Sequence, residues 1–453
     1  MSREKIPIDK IKQVLEDKIT KNTDMLSKKE FQRFEIRTKS FDPLLWLKIQ
    51  PQNEKIYFKA RGEEEPSNAV VGSILKITSS ENGKLNLSFK DVEYILESGA
   101  KFFGGISFSG KKPKEDKWKS FGAYNFIIPR FEYIHTERDA FFVMNYRLSE
   151  LASGKTQKII NEINGINFSI EKRSENTIKS YVKKYLPDKK GWIKQISSYL
   201  EKIRSGNIEK IVAARRLELK VSEGIDPYDI VFKLKNIGDN AACFLIGFNN
   251  KDFFLGLTPE RLFRRENKLL KTESVAGTIN RGKNSIEDKI LGKKLFSSAK
   301  NTLEHDFVTK YIVENLDNLC ESVTVSKRVL LKLSSLQHLC RKISGNLKDN
   351  ISDGDILEKM SPTPAVSGMP QKESMNILKK EESFERGWYT GVVGFAGKNI
   401  SDYYVGIRSA LVSEDKIYVY SGAGIVERSV PEKEWDEINL KSSKYKKILN
   451  YED

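Results

Sequence analysis

Asp402-Tyr-Tyr-Val-Gly-Ile-Arg408-Ser-Ala-Leu-Val412 and Lys416-Ile-Tyr-Val-Tyr420 read as two strands joined by the polar turn Ser413-Glu414-Asp415. Gly422-Ala423-Gly424 follows as a turn, and Pro431-Glu-Lys-Glu434-Trp435-Asp-Glu437-Ile438-Asn-Leu-Lys441 forms a helix. A helix advances about 100° per residue, so Glu434, Glu437 and Lys441 share one stripe. Trp435, Ile438 and Tyr445 form the adjoining apolar stripe. Two carboxylates and an amine beside a glycine turn suit a metal ion and a small anion. The reading is an enzyme.

Outward from this stretch, the chain alternates strands and helices back to about residue 191. Before that it reads as short strands and turns rich in aromatics. Leu44-Leu-Trp-Leu-Lys-Ile49, Lys55-Ile-Tyr-Phe-Lys59, Leu85-Asn-Leu-Ser-Phe89 and Ala140-Phe-Phe-Val-Met-Asn145 are strand candidates. Lys101-Phe-Phe-Gly-Gly-Ile-Ser-Phe-Ser-Gly110 and Ile127-Ile-Pro-Arg-Phe-Glu-Tyr133 look like buried strands. Lys184-Tyr-Leu-Pro-Asp-Lys-Lys-Gly191 is the natural seam, giving a strand-rich part over 1–190 and a second part over 191–453. An amphipathic helix follows the seam, with Ile193, Ile196, Leu200 and Ile203 at helical spacing and Gly206-Asn207 at its end. The expected fold class is α+β with large, mainly antiparallel sheets.

Composition narrows the function classes. The 453 residues can fill one large or two ordinary domains, and 39% hydrophobic with 31% charged residues describes a soluble globular chain. No apolar run is long enough to span a bilayer, and the start, Met1-Ser-Arg-Glu-Lys-Ile6, lacks a signal-peptide core. Cys243, Cys320 and Cys340 are scattered, without CxxC spacing, which argues for reducing surroundings and against zinc. A cytoplasmic protein without membrane contact is expected. The net charge of +16 comes from lysine spread along the chain, and its densest run, around Lys111 to Lys119, contains acids. Nucleic-acid binding calls for a clustered stripe with aromatic platforms, so a solvated surface is the better reading. A positive field can still gather a dianionic substrate.

Several segments hold residues capable of chemistry. Ile208-Glu-Lys210-Ile-Val-Ala-Ala-Arg215 is a strand with an internal lysine, either a snorkelling edge residue or a general base. Phe253-Phe-Leu-Gly-Leu-Thr-Pro-Glu260 ends a strand on an acid that is either a surface cap beside Arg261 or a proton donor. Leu270-Lys-Thr-Glu-Ser-Val-Ala276-Gly277-Thr278 runs into a turn able to present backbone N–H groups to an anion, or into an ordinary loop. Leu303-Glu304-His305-Asp306-Phe307 lies on a helix, and its polar trio reads as metal ligands or as a solvated face. A metal shared by Glu304 and Glu437 would be Mg²⁺ in preference to Zn²⁺, because carboxylate oxygens favour the hard ion. His338 sits in an apolar setting, where a hydrogen-bonded core histidine is the alternative to a ligand. The loop Ser361-Pro-Thr-Pro-Ala365-Val366 and the segment Gly387-Trp-Tyr389-Thr-Gly391 are either pocket walls or turn chemistry.

Taken in order, Lys-Ile-Val-Ala-Ala-Arg, Thr-Pro-Glu-Arg-Leu, Thr-Glu-Ser-Val-Ala-Gly-Thr, Glu-His-Asp, Pro-Thr-Pro-Ala and Gly-Ala-Gly-Ile-Val with Glu-Trp-Asp-Glu resemble the chorismate-utilising enzyme family. The resemblance spans residues 191–445 and extends more loosely to Phe-Phe-Gly-Gly and Ile-Pro-Arg-Phe-Glu. It implies one α/β sandwich in which two large, mainly antiparallel sheets pack together, flanked by helices, with the 1–190 part woven in and the site between the layers. It implies that Lys210 deprotonates the water attacking C2 of chorismate and that a protonated Glu260 donates to the departing C4 hydroxyl. It implies Mg²⁺ on Glu304 and Glu437, with Glu434 and Lys441 in support. Arg408 with the Gly422, Ala423 and Gly424 amides would hold the pyruvyl carboxylate. Thr278, His338, Ala365, Val366, Tyr389 and Ile407 would line the ring.

Within that family, lysine at 210 marks the water-using members, where the anthranilate-forming ones have glutamine. Ala276 stands where the aminodeoxychorismate-forming members carry a nucleophilic lysine. The implied activity is isochorismate formation for menaquinone, with a siderophore pathway or onward elimination to salicylate as alternatives, and no obligatory glutaminase subunit. An amination subunit and a lysine-rich binding protein are the remaining readings. Ser361 departs from the histidine usual before Pro-Thr-Pro-Ala in isochorismate-forming members.

Overall fold

Alternation along single strands builds the molecule. In Lys55–Lys59, Ile56 and Phe58 enter one core while Tyr57 enters another, so the strand is buried on both faces. The computed structural model describes residues 7, 10–21, 30–79, 89–90, 92–151, 155–170, 180–221, 225–237, 240–332 and 336–451. The strand candidate at 85–89 falls outside these residues except for Phe89, as do the first six residues, 333–335 and the last two.

Every strand pairing is antiparallel, and the strands form two connected layers. One layer runs from Phe31–Thr38 through Ala140–Arg147, Tyr124–His135, Ser67–Thr78 and Lys55–Lys59. It continues through Ala242–Gly247, Asp252–Thr258, Ser409–Ser413, Lys416–Val426 and Lys210–Val221 to Ser180–Leu186. The second layer leaves the same strand Tyr124–His135 and passes through Phe102–Ile106, Val392–Ala396, Ile400–Val405 and Arg261–Glu266. Leu269–Asn280 and Leu336–Leu347 complete it, the latter carrying Cys320–Val325 and Val329–Lys332. Strands from 1–190 therefore hydrogen-bond directly to strands from 191–453 in both layers.

Three apolar clusters fill the gaps. An aromatic one, with Phe58, Phe103, Trp118, Phe254, Trp388 and Tyr404, joins residues of both layers. Two others pack strands against helices, among them Lys189–Arg204, Ala299–Leu319 and Pro431–Leu449. The helix after the seam buries Trp192, Ile196, Tyr199, Leu200 and Ile203 and is capped by Asp188. Among the described residues no helix is long and apolar enough to cross a membrane.

Three local expectations are corrected. Residues 44–48 lie in the helix Pro43–Lys48, with Ile49 at its C-cap: the Asp42 carboxylate accepts from the Leu44 and Leu45 N–H groups, and Pro43 takes the first turn. A short apolar run alone does not distinguish a buried strand from one helical turn. Residues 402–412 are two strands, Ile400–Val405 in one layer and Ser409–Ser413 in the other, and the chain crosses between them at 406–408. Arg408 makes this crossing at φ +50°, a conformation few side-chain-bearing residues adopt. Gly422-Ala423-Gly424 is not a turn either. It continues the strand Lys416–Val426, pairing with 212–214 of Lys210–Val221.

A candidate active site between the layers

The neighbour of Lys416–Val426 on its other side, Ser409–Ser413, pairs only as far as Val419. Beyond that point one backbone edge of the strand has no strand partner among the described residues. The N–H and C=O of one strand residue point the same way. The Gly422 carbonyl accepts from Lys441 Nζ at 2.9 Å, so the Gly422 edge, and by two-residue alternation that of Gly424, faces away from Lys210–Val221. A cleft opens here, walled by both layers, the helices Ala299–Leu319 and Pro431–Leu449, and the loop carrying Ala365.

Lys210, Glu260, Thr278, Glu304, His338, Ala365, Val366, Tyr389, Ile407, Arg408, Gly422, Gly424, Glu437 and Lys441 all line this one cleft. Ala423 and Glu434 do not. Ala423 alternates away from its glycine neighbours into an apolar core. Glu434 is buried beside the cleft and reaches it through Lys300, whose Nζ is 3.1 Å away. Ser361 is not among the lining residues, so the departure at that position lies outside the wall.

The polar trio on Ala299–Leu319 is split by helical geometry, each residue turning about 100° from the last. Only Glu304 faces the cleft. His305 is fully buried and its Nε2–H donates to the Ser274 carbonyl at 3.0 Å, while Asp306 pairs with Arg328 at 2.7 Å. The reading of this trio as a joint ligand set is therefore corrected. Lys300, missed in the sequence, stands one turn before Glu304 and lines the same wall.

Charge in the cleft is arranged in pairs. Lys210, 1% exposed, places Nζ 3.0 Å from Glu304 Oε1. Lys441 Nζ lies 2.7 Å from Glu437 Oε1. Burial raises the Glu437 carboxyl, but Lys441 more than offsets this and holds it below the usual carboxylate range. Glu434 is raised by burial and by the charge of Glu437. Burial lowers Lys300, and the carboxylates of Glu434, Glu304 and Glu437 outweigh it and keep the ammonium charged.

Two groups stand apart from these pairs. Glu260 accepts no side-chain hydrogen bond among the described residues, and burial pushes its carboxyl up to about 7 against the pull of Lys210. Arg408 forms no ion pair among the described residues; its guanidinium donates to the Lys441 carbonyl at 3.2 Å and otherwise faces the cleft. A free guanidinium on a pocket wall is a carboxylate receptor.

His338 is fixed in one tautomer. Its Nδ1 lies 3.1 Å from the Gly277 carbonyl, an acceptor only, so Nδ1 carries the proton and Nε2 is left as an acceptor. Burial and then Arg408 push the imidazole down to about 3, so the ring is neutral. Gly277 itself sits at φ +71° in a bulge of Leu269–Asn280, which aims its carbonyl at this histidine.

The carboxylates also fit a hard cation. Among the described residues no three His, Cys, Asp or Glu side chains gather into a closed cage. Glu304 and Glu437 are instead carboxylates on the wall of an open cleft, the residues that could offer oxygen ligands to a hard cation.

A family model for chorismate binding enzyme matches residues 17–450. The chain is 32% identical to the isochorismate synthase MenF of Haemophilus influenzae over 92% of this chain and 91% of that protein. It is 28% identical to MenF of Escherichia coli, covering 91% and 92%. The solved structure of the menaquinone-specific isochorismate synthase MenF from Escherichia coli superposes with a TM-score of 0.85 at 25% identity, covering 96% of this chain and 99% of that one. Anthranilate synthase component I from Streptococcus pneumoniae shares the fold, with a TM-score of 0.68 at 18% identity over 87% and 92%. The family match over residues 17–450 and the full-length similarity to these relatives, with all six motifs of residues 191–445 meeting in one cleft, show that the chain belongs to the chorismate-binding enzyme family.

Proposed function

We propose that this enzyme is an isochorismate synthase, an isomerase that moves the hydroxyl of chorismate from C4 to C2, and that it serves menaquinone synthesis. The observation that carries the reading is one cleft holding a buried lysine, an elevated carboxylic acid and an unpaired arginine together. Full-length similarity to the MenF isochorismate synthases supports the same reaction.

Chorismate carries two carboxylates on a compact ring system. Arg408, with the outward-facing edge of Gly422 and Gly424, receives the pyruvyl carboxylate. Tyr389, Ala365, Val366 and Ile407 supply the apolar walls for the ring. Lys210 Nζ, which must enter this step as the neutral amine, takes a proton from the water that attacks C2 as the ring double bonds shift and becomes the ammonium paired with Glu304. Hydroxide leaves poorly, so Glu260 must enter the reaction protonated and donate to the C4 oxygen as its bond to carbon breaks. One water enters and one leaves, which makes the reaction an isomerisation. His338, neutral with Nε2 open, accepts a hydrogen bond from a substrate hydroxyl. Glu304 and Glu437, with Glu434 beside them, are the residues that would hold Mg²⁺, which when bound neutralises the ring carboxylate.

The direct test is chromatography of products after incubating the pure protein with chorismate and Mg²⁺. Isochorismate supports the proposal. A folded protein that yields none overturns it, and salicylate or an ammonia-dependent product would assign the cleft to a different member of the family.

A further inference from the structure

The strand Asp252–Thr258 ends at Pro259-Glu260, and the backbone there is held from two directions. The Val405 N–H donates to the Glu260 carbonyl at 3.0 Å. From the other side, Arg61 Nη1 donates to the Pro259 carbonyl at 3.0 Å. Arg61 belongs to the N-terminal part of the chain, almost two hundred residues away, and does not line the cleft. Its guanidinium also forks onto Glu273, with Nη2 2.8 Å from Oε2 and Nη1 against Oε1. The Arg61 N–H donates to the Tyr404 hydroxyl at 3.0 Å, and Arg261 Nη2 meets the same hydroxyl at 2.7 Å while pairing with Asp402. Arg61 is thus fixed at both backbone and side chain, which is more than an exposed ion pair would provide.

Glu273 and Arg61 line a separate groove with Arg261, Lys271 and Lys342. The groups acting on the Glu260 carboxyl come from four elements. Lys210, Lys441 and Arg408 each favour its ionised form, while Glu273 is the carboxylate that opposes them. Glu273 in turn faces Arg61, Lys342 opposite it on the paired strand, and the Cys340 thiol, which its charge raises.

Building on the isochorismate synthase reading, we propose that Arg61 and Glu273 are a positioning pair for the Glu260 acid, Arg61 clamping the backbone that presents it and Glu273 holding the Arg61 guanidinium in place. Neither residue lines the cleft. Both act through Glu260, so the pair should control how well the acid is aimed and leave substrate affinity alone.

The experiment measures kcat and KM for chorismate from pH 5.5 to 9 on the wild type, Glu273→Gln, Arg61→Met and Arg61→Lys, with circular dichroism to select folded variants. Glu273→Gln removes one anchor of the Arg61 guanidinium and lowers kcat about threefold at every pH, with KM within about twofold. Arg61→Met lowers kcat about tenfold at every pH with KM within about twofold, because the acid is present but misaimed. Arg61→Lys keeps the charge without the fork and falls between the two. Wild-type kcat in Arg61→Met, or an Arg61→Met defect lying in KM, overturns the pairing. Absence of isochorismate from the wild type would instead overturn the underlying activity, so the two failures are separable.

Discussion

Lys210 Nζ lies 3.0 Å from Glu304 Oε1, and a side chain at Gly424 would have to stand between them and the strand. A Cβ built on Gly424 comes within 2.9 Å of that same Oε1 and 3.1 Å of Lys210 Cε. The second glycine of Gly-Ala-Gly is therefore the space that lets the amine and the carboxylate meet. Gly424→Ala should push the pair apart and reduce kcat by at least about tenfold, since small misplacements of a catalytic group are costly. Steady-state kinetics with a thermal melt checks this, the expected outcome being a kinetic loss larger than the change in stability.

Lys210 opens the strand Lys210–Val221, Glu260 follows the end of Asp252–Thr258, and the two make no hydrogen bond to each other. Each is assigned a separate proton, one taken from water and one given to the C4 oxygen. Lys210→Ala and Glu260→Gln should each lower kcat by roughly 10²–10⁴-fold while the circular dichroism spectrum stays that of the wild type. Near wild-type turnover in either variant would break the assignment.

Glu260 also fixes the pH dependence. Burial pushes its carboxyl up to about 7, and on this account the protonated form is the active one. Below that value the acid is loaded and does not limit turnover; above it the acid ionises and kcat/KM falls about tenfold per pH unit. The profile should show an alkaline limb near 7 that steepens no further in Glu260→Asp but is displaced. An enzyme whose activity rose steadily through pH 9 would not be using this group as its acid.

Arg408 carries the anion-binding prediction. Its guanidinium has no carboxylate partner among the described residues, so removing it costs no internal ion pair. Arg408→Ala should raise KM about ten- to a hundredfold with a smaller fall in kcat, the mark of lost ground-state binding. Addition of guanidinium ion at millimolar concentration should restore part of the loss.

Much of this site was legible in the sequence because its residues fall in short motifs with fixed spacing. Glu437 and Lys441 stand four apart on a helix and do pair across one turn. The apolar strand patterns put Glu260 at a strand end and Lys210 inside a strand, whereas Lys210 is the first residue of Lys210–Val221. What failed was local geometry. Gly-Ala-Gly was read as a turn because glycine usually signals one, whereas here the missing side chains make room for Lys210, Glu304 and Tyr389 against a straight strand. The run at 44–48 is helical because Asp42 and Pro43 start a turn, a signal present two residues upstream. Lys300 could have been found from its i, i+4 relation to Glu304. Arg61 could not, since only the pairing of Lys55–Lys59 with Ala242–Gly247 brings its neighbourhood to Pro259.

The most direct test of the central claim is turnover of chorismate in H₂¹⁸O with Mg²⁺, read by mass spectrometry of the product. The account predicts isochorismate that has gained one ¹⁸O at the C2 hydroxyl, with the original C4 oxygen released to solvent. Isochorismate retaining only ¹⁶O at C2, or no isochorismate from folded protein, would contradict it.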